Sequence, residues 1–479
     1  MAAAAFANAF RHRAGSITLV DIAQTPPAPA DEASLPSIRT FNATLGIPED
    51  EFIRKTKAVF TLGTEFGNWS GPGTSFVHAF GRLGTGVDDV GFHHCWFRLR
   101  QLGDAGKLED YSLAAVAASL GHFARPASDA SSVLSSYSYA FRFDSERYRE
   151  LLRELAGGVV RKEAKRVEVR LNGEDGSIAA LVIDGETAIE ADLYLDCSGA
   201  DGLLIEQALH AGYESWSAWL PCDRLLSVRS EITGDTPLLT RVTAHSDGWR
   251  FQVSARETAT TGFVYSSGFT ANDEARTQFE SQLPPRLAHT ARDSKFRNGR
   301  RSRFWIKNCV ALGDAAGFLE PLESTRIHLV QSQISRLLAL LPAGAAMQAS
   351  ADEYNRLMTA EYEQIRDFLI LHYCANGAGS SPLWDHCRAL PDSLAYAIEL
   401  FKSRGRVMAD TGDVFFLPSW LSLFVGLGIQ PQRHHPFADG LNEERLTEQL
   451  ANMRKTIRQA AQSMPTHGAF LAQIAERRT

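Results

Sequence analysis

Apolar and polar positions along this 479-residue chain follow the helical period, then the strand period, then the helical period again. The opening MAAAAFANAF run predicts a helix that leads into residues 17–21, an apolar strand ending in Asp21. A helix followed by such a strand is the second half of a dinucleotide-binding βαβ unit, in which the acid bonds a ribose. The strand and glycine turn that open such a unit are missing, because Met1 already falls inside the helix. Residues 145–156 again show helical spacing, with Asp144 as cap and Gly157-Gly158 as stop. The period then becomes two. Residues 166–171, 178–183 and 187–189 alternate around NGEDG and DGE turns, which predicts a β-meander feeding a strand at 193–196. Further strand-like runs surround Val253, Phe263-Val264-Tyr265 and Phe304-Trp305-Ile306. From Ser324 onward Ile327, Val330, Ile334, Leu337, Leu338 and Leu341 mark one helical face, and residues 351–374 and 441–463 continue the habit.

Composition narrows the class without naming it. With 44% hydrophobic and 22% charged residues the chain reads as an ordinary globular protein of two or three domains. A net charge of −7 argues against a nucleic-acid surface, and the basic run at 297–303 (RNGRRSR) reads as a solvated turn. Six cysteines without CxxC or metal-type spacing read as reduced, mostly buried thiols, so a cytoplasmic location and no metal are expected. No apolar stretch reaches the roughly 18 to 20 residues of a membrane span.

The most specific stretch is Gly313-Asp314-Ala315-Ala316-Gly317-Phe318-Leu319-Glu320-Pro321-Leu322-Glu323-Ser324-Thr325-Arg326-Ile327. It follows the apolar run 305–312, read as a strand, and precedes an amphipathic helix, so small residues meet a helix N-terminus that favours negative charge. With the Asp196-Cys197-Ser198-Gly199 and Trp219-Leu220-Pro221-Cys222-Asp223 segments in order, the chain resembles the flavin-dependent tryptophan halogenases.

That resemblance implies an α/β, glutathione-reductase-like FAD-binding fold with a β-meander and mixed sheet, plus a helical substrate module. It divides the chain into an FAD-binding halogenase module at 1–330, lacking its first strand and GxGxxG loop, and a helical substrate-binding module at 331–479. It also implies a chain begun late, by truncation or a misassigned start, and a second flavin loop at 24–34 in which prolines and alanines stand for glycines. The implied activity is halogenation of tryptophan, indole or a related ring, with reduced FAD from a separate flavin reductase, oxygen, and chloride or bromide. A homodimer is a further expectation. The alternatives are a non-catalytic aromatic-binding relative and a flavin monooxygenase or oxidase without halogen transfer.

Carried over residue by residue, Glu323 is the catalytic carboxylate and Ser324 its relay neighbour. Thr61 stands where the family has a catalytic lysine; a hydroxyl can hydrogen-bond a neutral oxidant but brings no charge. Asp21, Gly313, Asp314 and Ile327 fall to the flavin, His78, Phe80 and Trp420 to the aromatic substrate, and Thr325 and Arg326 to the halide, with Arg326 expected to block that pocket. The Trp249-Arg250-Phe251 segment stands for the family's tryptophan pair near the flavin, or is strand core.

Overall fold

The computed structural model describes all residues except 12–14, 23–29, 104, 288, 342–346, 378, 410–411 and 477–479. The greater part of the 24–34 loop therefore lies outside the described residues. Helix Ala2–Ala9 buries Ala4, Ala5 and Phe6, and strand Thr18–Ile22 pairs in parallel with Val160–Ala164. The meander forms as three antiparallel strands, Val167–Leu171, Ile178–Ile183 and Thr187–Ile189. Asp144 caps helix Ser145–Leu155 by accepting hydrogen bonds from the Glu146 and Arg147 amides.

The expected strand at 305–312 is two strands. Trp305–Ile306 and Cys309–Ala311 pair antiparallel around Lys307, whose φ of +52° turns the chain, and Trp305 Nε1 donates to the Lys307 carbonyl at 2.9 Å. Cys309–Ala311 then pairs in parallel with Tyr194–Asp196. The buried Asp196 carboxylate accepts from the Leu204 and Ile205 amides at 2.8 Å and from the Ser198 amide at 3.0 Å, so this motif caps the next helical turn.

A seven-stranded sheet fills the middle of the molecule, in the order 292–295, 224–231, 258–265, 248–254, 239–245, 63–67, 75–79. Its neighbours are antiparallel except for Leu239–His245 against Gly63–Gly67. Gly63 has φ +150°, and a Cβ there would meet the His78 carbonyl oxygen at 2.2 Å, so only glycine lets these edge strands approach.

The chain is helical thereafter, through Thr325–Leu340, Met347–Cys374, Asp392–Arg404, Leu417–Gly426 and Glu443–Ser463. Residue 330 lies within the first of these. Buried Glu361 ties the first two together, contacting His328 Nε2 at 2.9 Å and accepting from Ser332 Oγ at 2.7 Å. Residues 299–301 depart from the solvated-turn expectation. They form a buried strand in which Arg300 pairs with Glu214 and Glu363, and Arg301 with Glu206, each at 2.8 Å. Carboxylates on three other segments supply what burial takes from the guanidinium groups. All six cysteines are free, Cys197 being exposed. Among the described residues no helix is long and apolar enough to cross a membrane.

Candidate active site

Alternation along strand Ser75–Ala79 turns Phe76 and His78 inward and leaves Val77 and Ala79 on the other face, against a hollow of only about 10 Å³ shared with Ser422 and Gly426. Across the core, Pro321 opens a tight turn, Pro321–Glu323, and Ser324 at φ +57° reverses the chain into the helix Thr325–Leu340. That reversal sends Glu323 inward. The helix has no side-chain cap, so the usual role of an acid at a helix start is not the one Glu323 fills.

Glu323 is buried, with His78 Nδ1 at 3.0 and 3.1 Å from its two oxygens and His372 Nε2 at 3.1 Å. Burial acts to raise the carboxyl, and the charges and hydrogen bonds of His78 and His372 outweigh it, holding it down to about 2. The hydrogens can be counted. His372 Nδ1 lies 3.0 Å from the Phe368 carbonyl, which only accepts, so that nitrogen carries a hydrogen. The contact between His372 Nε2 and Glu323 then needs another. One hydrogen is shared along that contact, between the His372 ring and the carboxylate. His78 Nδ1 donates to the same carboxylate, and among the described residues its Nε2 makes no hydrogen bond.

An aromatic chamber adjoins this cluster. The Phe368 and Phe415 rings stack at 3.9 Å, the Trp420 ring stands edge-on to Phe368 at 5.1 Å, and the His78 ring lies 5.6 Å from Phe368 and 5.9 Å from Phe415. Phe80 sits 6.4 Å from His78. Beyond Phe415 and Trp420 opens a cavity of about 140 Å³ whose mouth carries Tyr396 and Met408, 62% and 58% exposed. Phe415 touches both spaces.

The other side of the Ser324 reversal is charged and reached by solvent. Arg326 pairs with Asp314 at 3.0 Å and with Glu32 at 3.6 Å, and burial pushes the Glu32 carboxyl up. Gly313, at φ +63°, donates its amide to Gln333 Oε1 at 2.8 Å. Thr325 Oγ1 is buried and has no partner among the described residues. Ile327 is buried beside it. The residues here fit the ring end of a flavin with its halide: small residues, a solvent-reached acid, and an orphaned hydroxyl at the start of a 16-residue helix. Asp21 is half exposed and paired with Arg161 on the neighbouring strand.

Among the described residues Thr61 makes no hydrogen bond to any of these groups. Its hydroxyl is buried and lies 3.2 Å from the Leu238 carbonyl and 3.3 Å from that of Gly63, so its one hydrogen is already shared between two acceptors. Arg326 turns to two acids. Trp249 is buried in strand Gly248–Ser254 and donates from Nε1 to the Tyr373 hydroxyl at 2.8 Å.

Sequence reading missed His372, Phe368, Phe415 and Glu320. The first two sit inside a 28-residue helix, where apolar and histidine positions read as core. Their spacing of four, Phe368 to His372, was the available signal, since it stacks them on one face. Glu320 is fully buried, accepts from Asn298 Nδ2 at 3.3 Å, and is pushed by burial to about 7.

Comparison with known proteins follows the same lines. The family model described as tryptophan halogenase matches residues 1–443. BrvH, a flavin-dependent halogenase from Brevundimonas sp. BAL3, superposes with a TM-score of 0.92 at 39% identity, covering 99% of this chain and 96% of that one. Tryptophan 6-halogenase SttH of Streptomyces toxytricini is 27% identical over 100% of this chain and 96% of its own length. Tryptophan 7-halogenase RebH of Lentzea aerocolonigenes is 28% identical over 95% and 93%.

Proposed function

Because this chain belongs to the tryptophan halogenase family, we propose that it halogenates a small aromatic ring beside the Glu323–His78–His372 cluster, with a flavin reductase as its partner. FAD, when bound and reduced, supplies with oxygen and chloride or bromide the hypohalous acid that reaches the ring. Gly313, Asp314 and Ile327 hold the flavin's ring end, Asp21 its ribose, and the Thr325 hydroxyl the halide, while Arg326 is taken up by Asp314 and Glu32. The substrate ring packs against Phe80, Trp420 and the His78 imidazole. In this reading the helical segments after residue 330 form the substrate module of a division into 1–330 and 331–479, whose boundary falls inside helix Thr325–Leu340. A cytoplasmic setting belongs to this reading.

The observation that carries it is the buried carboxylate held between two histidines at the edge of an aromatic chamber. When the halogen of the hypohalous acid joins the ring its hydroxide leaves, and the carbon it joins must lose its proton and return the C–H electron pair to the ring, so that proton and hydroxide together make water. His78 Nε2 accepts that proton. Its Nδ1–H rests on Glu323, which stabilises the imidazolium formed, and Ser324 keeps Glu323 aimed inward. His372 holds the far side of the carboxylate in place. Glu323→Gln should lower halogenation by about 10²-fold, in the range of a lost acid–base group, while binding of an aromatic ligand stays within twofold. A variant that halogenates at the wild-type rate would overturn the assignment.

One observation favours a second reading, an aromatic-binding protein or flavin oxidase without halogen transfer. The Thr61 hydroxyl is committed to two carbonyls and offers no donor to an oxidant.

A further inference from the structure

The turn that delivers Glu323 carries a second acid at its other end, and the proposed reaction does not use it. Glu320 is 0% exposed and stands immediately before the tight turn Pro321–Glu323. Its surroundings invert those of Glu323. Its Oε2 accepts from Asn298 Nδ2 at 3.3 Å, but the two hydrogens of that amide also serve the Leu220 and Cys222 carbonyls, each at 3.1 Å. Its Oε1 has no hydrogen-bond partner among the described residues. The titratable groups that face the carboxyl are Tyr373 on helix Met347–Cys374, Cys222 on the segment that Asn298 binds, and Cys387 after helix Pro382–His386. Burial keeps the hydrogen on all three. Asp223, next to Cys222, gives its carboxylate to Ser267. Among the described residues no Lys, Arg or His is bonded to Glu320. An ionised carboxylate left with a share of one amide hydrogen and no cation is costly in a dry core, so this acid favours its protonated form where Glu323 does not.

The two acids are tied together. The Glu320 amide donates to Asn298 Oδ1 at 2.8 Å and its carbonyl accepts from the Leu322 amide at 2.9 Å, which fixes the entry to the turn. On the helix opposite, Tyr373 stands by Glu320, and its neighbour His372 meets Glu323 at 3.1 Å. Trp249 Nε1 donates to the Tyr373 hydroxyl at 2.8 Å and fixes the phenol in turn. One short turn therefore meets two consecutive helix residues through two acids, one neutral and one charged.

We propose that Glu320 is a positioning residue that works as the neutral acid: protonated, it seats the turn on Tyr373 and keeps Glu323 aimed at His372 and His78; ionised, it unseats the turn and weakens the ring site. The proposal rests on the reading of that cluster as the ring site, and it adds a pH dependence in the neutral range. Burial pushes the Glu320 carboxyl up to about 7 against the hydrogen bonds of Tyr373 and Asn298. The competent form therefore dominates below pH 7 and is lost as pH rises through it.

Isothermal titration of indole into the full chain, without flavin, from pH 6 to pH 8.5 tests this. Wild-type affinity should fall about 30-fold over that range, the factor by which the neutral fraction of an acid titrating near 7 shrinks. Glu320→Gln, which keeps the shape and cannot ionise, should bind indole at pH 6 within about threefold of wild type and stay flat to pH 8.5. Glu320→Met, apolar and uncharged, is a second variant with the same expected flat curve. A role in packing alone would shift a variant's affinity equally at every pH and leave the slope. A flat wild-type curve, or a variant that keeps the wild-type slope, would overturn the proposal while leaving the ring site in place. Failure of indole to bind the wild-type chain at any pH would remove the ring-site reading, and the proposal with it.

Discussion

Two regions meet at Ser324 and could hardly differ more. On one side Glu323, His78 and His372 are each at most 2% exposed, bonded to one another's polar atoms and to the Phe368 carbonyl and packed among aromatic rings. On the other, two residues along, Arg326 is half exposed and exchanges charge with Asp314 and Glu32 in reach of water. One left-handed residue separates a dry carboxylate from a wet guanidinium. Charges of similar kind therefore carry different weight: an ion pair in water is worth little, whereas a buried one cannot lose a partner cheaply.

Removing the dry charge should have the largest effect. Glu323→Leu leaves two buried histidines without an acceptor and should destabilise the fold by about 3–5 kcal/mol, the range for breaking a buried pair, as read by urea denaturation. Unchanged stability would mean the cluster does not exist as described. Acid should sharpen the contrast next, with opposite signs on the two sides. The Glu323 carboxyl is depressed from 4.5 to about 2, so its contribution is present above pH 4.5 and lost as pH falls towards 2, on the order of 3 kcal/mol in all. Glu32 is raised above 4.5, so its contribution is present below pH 4.5 and lost as pH rises through its folded value. Difference curves of melting temperature against pH, wild type minus Glu323→Gln and wild type minus Glu32→Gln, should slope in opposite directions.

A smaller effect is expected from adding charge to the dry side. Thr61→Lys places an ammonium where the family carries one and should raise halogenation about tenfold, roughly 1.4 kcal/mol of barrier, in an assay with chloride, bromide and a flavin reductase. Wild-type rates equal to the variant's would refute the importance given to position 61. The smallest change belongs to the wet side. Arg326→Gln should alter stability by no more than about 1 kcal/mol, the ceiling for exposed pairs, by the same denaturation measurement.

Sequence made this division half visible. The Glu-Ser-Thr-Arg run named Glu323 and Arg326 as neighbours with separate tasks, and resemblance rather than spacing pointed to His78 and Phe80. The meander, the cap at Asp144 and the long helices were legible because each rests on local spacing. Hidden were contacts closed by distant chain: His372 reaches Glu323 across 49 residues, and Arg326 reaches Asp314 across 12. The hairpin at Lys307 escaped for another reason: the polar pair Lys307-Asn308 does interrupt the apolar run, but a lysine does not announce a left-handed turn as a glycine would. Arg300 and Arg301 misled because a basic run looks solvated until its carboxylate partners, on other segments, are known.

The strand that carries His78 has a reverse side. Val77 and Ala79 lean on a gap too small for a water molecule to share comfortably with Ser422 and Gly426. A methyl group added there, well away from any reacting atom, would press on the strand and tilt the imidazole on its opposite face. The chamber can thus be retuned from behind, a route by which relatives could drift in ring preference while keeping every residue that faces the ring.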